Sequence, residues 1–88
     1  MDRNALDAKL ELNGRVLRTY PASDVAYRQS ALLALAGALP AAYRLWDLAV
    51  AAYPSRAMNV AESLAKSSSA GQAQLAPLVE YAASRTKE

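Results

Sequence analysis

Proline placement constrains this chain more than any other feature. Pro21, Pro40, Pro54 and Pro77 interrupt a sequence rich in alanine and leucine, and a proline inside a helix removes a backbone donor and clashes with the preceding turn. Helices must therefore begin or end at these points. Tyr20-Pro21 holds the residue before the ring extended, so a second helix starts beyond it, with Ser23 as N-cap and Asp24 in its first turn. That helix should run to about Leu39, where Pro40 either stops it or opens a third helix. Tyr53-Pro54-Ser55 repeats the device and opens a fourth helix through "RAMNVAESLAK". Its Ala57, Val60, Ala61 and Leu64 share one face, with Glu62 and Lys66 as an i, i+4 pair on the other. The serine run "KSSSAG" reads as a loop. Pro77 suits the first turn of a last helix carrying Leu78, Val79 and Ala82, with Arg85 and Lys87 near its negative end.

Ahead of Pro21, Leu6, Leu10 and Leu17 recur at helical spacing, and Arg3 with Asp7 and Glu11 with Arg15 form i, i+4 pairs. This predicts a first helix. Asn13-Gly14 is also a strong two-residue hairpin signal, so "KLEL" and "RVLRTY" offer a β-hairpin as the weaker alternative. Only Leu10 opposite Leu17 gives that hairpin a good apolar cross-strand pair. The favoured reading is a helix that ends or kinks at Gly14.

The expected fold is accordingly all-α, a compact bundle of four to five short helices forming one domain over residues 1–88. A chain of 88 residues with 53% hydrophobic side chains suits such a domain, although its core is thin. Cysteine and histidine are both absent. Their absence removes thiol chemistry, the commonest general base and the commonest zinc ligand, so neither catalysis nor a metal or other cofactor is expected. Ser63-Leu64-Ala65-Lys66 spells S-x-x-K, a serine and lysine one turn apart, but no companion motif or oxyanion-hole glycine loop accompanies it. The mixed-charge start "MDRNALDAKLEL" lacks a secretory pattern, which makes the cytoplasm the expected location.

The most apolar stretch is "ALLALAGALPAAYRLWDLAVAAYP", residues 31–54. Its continuous apolar or small run, 31–43, falls short of the roughly 18–20 residues a membrane span needs. Extending it places Arg44 and Asp47 near the middle, so no membrane role is expected. The stretch reads instead as a helix, a tight turn at Gly37 to Pro40, and a third helix. On a helical wheel the third helix is apolar over about 220°, whereas one core-facing stripe needs little over 100°. Leu45 and Leu48 on the aliphatic edge are expected in the core. Tyr43, Trp46, Val50 and Tyr53 form an aromatic edge that is surplus to it, and these four are the candidate partner-binding residues, because aromatic side chains are enriched in interface cores. In the second helix Ala26, Ser30, Ala34 and Ala38 make a stripe of small residues, expected to lie against helix 1 or 4.

Charge offers a second reading. Between residues 15 and 56 lie Arg15, Arg18, Arg28, Arg44 and Arg56 against only Asp24 and Asp47, and these arginines are the candidates for phosphate contact. A helix-turn-helix can be drawn around Gly37, but its recognition helix "PAAYRLWDL" offers Arg44 alone, beside Asp47. The sequence thus points to a small, non-enzymatic protein-interaction module, an adaptor, subunit or inhibitor, whose partner is another protein or a second copy in a homo-oligomer. The alternative is a helical nucleic-acid-binding or regulatory protein.

Overall fold

The computed structural model describes residues 3–86. Five α-helices follow in order: α1 (Arg3–Thr19), α2 (Ser23–Leu35), α3 (Leu39–Ala52), α4 (Ala57–Ser69) and α5 (Ala76–Thr86). Short 3-10 turns at Pro54–Arg56 and Ala73–Leu75 lead into α4 and α5. There is no strand among the described residues.

Each boundary has a local cause. Pro40 lies in the first turn of α3 and Pro54 opens the 3-10 turn before α4, positions where the missing N–H costs nothing. Ala22 is the N-cap of α2, leaving Ser23 as the first helical residue. Asp24 Oδ1 then accepts from the Val25 N–H at 3.1 Å. α2 stops at Leu35, four residues before the expected end, because Gly37 adopts φ of 82°. Ala38 N–H donates to Leu33 O and Gly37 N–H to Ala34 O, the paired bonds of a Schellman cap. Gly71, at φ of 127°, ends α4 in the same way through Gln72 N–H to Ser67 O. The serine run consequently completes α4, and the loop is confined to the residues after it.

α1 does not end at Gly14, and the hairpin alternative is excluded, because the helix continues to Thr19. Its i, i+4 ion pairs are present: Arg3 Nε lies 3.3 Å from Asp7 and Arg15 Nη2 lies 2.6 Å from Glu11. Asn13 is buried instead of turning, and its Nδ2 donates to Val25 O at 3.0 Å and to Gln29 Oε1 at 2.9 Å on α2. Gln29 Nε2 returns a bond to Leu10 O at 3.3 Å. This amide pair fixes the register of α1 on α2, while Leu6 is the apolar side chain that α1 buries fully.

The core draws on α2 to α5: Ala26, Tyr27 and Ala34 of α2, Ala42, Trp46 and Ala49 of α3, Leu64 of α4, and Leu78 with Ala82 of α5. The small-residue stripe of α2 faces α3, where Ser30 Oγ donates to Ala42 O at 2.8 Å. Its neighbour is therefore α3, not helix 1 or 4. Small side chains on both surfaces, Ala26, Ser30 and Ala34 against Ala42 and Ala49, let the two backbones approach closely. Room remains between them for two aromatic rings. Val60 and Ala61 of α4 pack against this core as expected, beside buried Ala57 and Leu64.

Candidate interaction surfaces

Helix α3 presents its aromatic edge inward, the reverse of the expected arrangement. Trp46 is fully buried, with its ring centroid 5.0 Å from that of Tyr27. Tyr27 Oη lies 2.8 Å from Tyr53 O and 3.3 Å from Ala49 O, donating to carbonyls at the C-terminal end of α3. Burial raises the Tyr27 phenol above its ordinary pKa. Tyr43 stacks on Tyr81 of α5 at 4.3 Å, and Val50 and Tyr53 are half-buried against the core. Leu48, expected inside, is 61% exposed. Trp46 is thus enclosed by the chain's own helices and presents nothing to a partner. The reason is steric: Ala42, Trp46 and Ala49 recur on one face, and that face alone is small enough on either side of the indole to meet α2.

The apolar surface left open lies on α1. Leu12 is 64% exposed, Val16 40% and Tyr20 77%, and they recur every four residues. Ala5 and Ala8, also exposed, extend the row toward the N-terminus. At about 100° per residue, Ala5, Ala8, Leu12, Val16 and Tyr20 fall within about 120° of arc, which they share with exposed Lys9 and Thr19, while Leu6, Leu10 and Leu17 lie on a separate face toward α2. α1 is apolar on two sides. The sequence carried this signal in Leu12 and Val16, but the leucines that share the inward face drew the reading first. Beside this ridge a groove of about 470 Å³ runs between α1 and α2, with Leu12, Val16, Val25 and Leu32 along it and Lys9 and Arg28 at its edge.

The five arginines separate. Arg15 is paired with Glu11 on α1, Arg18 lies along α1 near Gly14, and Arg44 is exposed on α3. Arg28 and Arg56 both line a cleft of about 360 Å³ between α2 and α4. Ser63 lines the same cleft. At the other side of the bundle, Asp47 on α3 accepts from Tyr81 Oη at 2.6 Å and lies 3.8 Å from Arg85 Nε. The Arg85 guanidinium in turn stands 4.9 Å over the Tyr81 ring. This cluster ties α5 to α3. The Tyr81 phenol is held above its ordinary pKa, chiefly by its hydrogen bond to the Asp47 carboxylate and then by burial.

Among the described residues, no helix is long and apolar enough to cross a membrane. Compared with known proteins, the chain matches no family model, no curated protein and no solved structure.

Proposed function

We propose that this chain is a non-enzymatic protein-interaction module that associates with a second copy of itself through the exposed ridge of α1. The observation that carries this reading is the row Ala5, Ala8, Leu12, Val16 and Tyr20, all exposed on one helix face. Exposed apolar side chains grouped on one helix face, here interrupted by Lys9 and Thr19, favour an interaction surface. Its size pattern favours a copy of the same chain as occupant. Turned end for end about Leu12, a second α1 sets small Ala8 opposite Val16 and small Ala5 opposite Thr19, next to Tyr20, with Leu12 meeting Leu12. Small Ala8 meets larger Val16 on both sides of the axis while Leu12 packs on its own copy, so the same patch serves both chains, as a two-fold interface requires. Along one flank of the ridge, Glu11 of each chain falls within a turn of Arg15 of the other, so opposite charges face across the rim.

Nucleic-acid binding draws less support. Arg15 is committed to Glu11, and of the five arginines only Arg28 and Arg56 line the same cleft. The test is light scattering on the full chain at micromolar concentration, beside the double variant Leu12→Gln and Val16→Gln. Glutamine keeps helix propensity and removes the apolar surface. The expected result is a dimer that becomes a monomer with unchanged far-UV circular dichroism. A monomeric parent chain at these concentrations contradicts the reading.

A further inference from the structure

The cleft between α2 and α4 differs in chemistry from the α1 ridge and shares only Arg28 with the groove beside that ridge. Arg28 enters it from α2 and Arg56 from the 3-10 turn before α4, and both are exposed. Neither has an ion pair among the described residues. Along the α4 wall Asn59, Ser63 and Ser67 recur every four residues, placing an amide and two hydroxyls in line. Ala31, Val60 and Leu64 supply an apolar floor.

We propose that this cleft binds the phosphate monoester of a small organic molecule. Two guanidinium groups from different elements, each a planar fork of donors, suit an oxyanion approached from two sides. A phosphate ester has three terminal oxygens to satisfy against two in a carboxylate, and the α4 amide and hydroxyls supply the additional donors. The apolar floor seats the organic part. Asp24 also lines the cleft. Its Oδ1 accepts from the Val25 N–H, and it opposes the two arginines with a single negative charge. The two arginines less Asp24 leave the lining with a net excess of one positive charge.

The test is an NMR titration of the full chain with phenyl phosphate, with inorganic phosphate as a second arm. Saturable shifts are expected at Arg28, Arg56, Asn59, Ser63 and Ser67, with phenyl phosphate binding more tightly because the floor takes the ring. Arg28→Gln and Arg56→Gln should each weaken binding about tenfold, the worth of one charge-assisted contact. Asp24→Asn should tighten it, and Arg44→Gln should leave it unchanged. Arg56 does not border the α1 groove, so its variant separates this site from self-association. Absence of saturation, or equal weakening by Arg44→Gln, overturns the proposal. Inorganic phosphate binding as tightly as phenyl phosphate overturns the ester assignment. Capture on vesicles of phosphatidylcholine with phosphatidic acid that phenyl phosphate does not displace overturns the small-molecule assignment.

Discussion

Trp46 meets Tyr27 edge to face, ring centroids 5.0 Å apart and planes at 61°, and neither side chain is more than 1% exposed. This pair is the centre of the α2–α3 interface, since the Tyr27 hydroxyl also reaches the carbonyls of Ala49 and Tyr53. Trp46→Ala should cost about 3–5 kcal/mol, the range for deleting a large buried aromatic side chain, which is a large share of the stability of so small a domain. Leu48→Ala, on the exposed side of the same helix, should change stability by no more than about 0.5 kcal/mol. Urea denaturation of the two variants checks both. Equal losses would mean that the two faces of α3 are wrongly assigned.

The inversion of α3 shows where sequence reasoning ran out. The prolines and Gly37 located the helices well, because their effects are local and act through backbone geometry alone, whereas Gly14 did not mark an end. Gly37 turned the chain, Pro40 and Pro54 opened helices, and Ala57, Val60, Ala61 and Leu64 faced inward as their spacing implies. The inward face of α3 could not be read from α3, since its apolar arc is wide enough for either edge. Tyr27 decides it from another helix. A legible clue was the match between the small residues of α2 and those flanking Trp46, which only one rotation of α3 satisfies. Asn13 was misread for a related reason: Asn-Gly favours a turn locally, but two hydrogen bonds to α2 outweigh that preference.

The amide clamp at Asn13 gives a pair of opposite predictions. Asn13→Ala removes the side-chain donor to Val25 O and leaves Gln29 Oε1 without its Asn13 partner, at a cost of about 1–3 kcal/mol, partly offset by the better helix propensity of alanine. Gly14→Ala should do the reverse. A Cβ there would stand 3.5 Å from Gln29 Nε2 and 3.7 Å from Arg18, ordinary contact distances, so the mid-helix change should stabilise by about 0.4–1 kcal/mol. Hydrogen exchange across α1 should quicken in the first variant and slow in the second. A Gly14→Ala variant with faster exchange would show that α1 needs the glycine.

Alkaline titration reports the link between α3 and α5. Tyr81 donates to Asp47, and its phenol pKa is raised in the folded state. The contribution of this contact is therefore complete below the ordinary tyrosine range near about 10 and is lost as pH rises through the higher folded value. Unfolding midpoints should not change through this group near neutrality and should fall at strongly alkaline pH. Asp47→Asn should bring the Tyr81 titration, followed by NMR of its ring, back toward the ordinary value. An unchanged titration in that variant would mean that the carboxylate is not its cause.

The antiparallel pairing of α1 about Leu12 can be read most directly by cross-linking, because the chain contains no cysteine. Leu12→Cys places a single thiol at the point where the two-fold axis would bring each helix against its copy. Met58→Cys on α4 is the control, since Met58 is 67% exposed and Leu12 64%. Under mild oxidation at micromolar concentration, the Leu12→Cys chain should form a disulfide-linked dimer rapidly while the Met58→Cys chain stays largely monomeric. Equal rates for the two, or dimers from Met58→Cys alone, would contradict self-association through the α1 ridge.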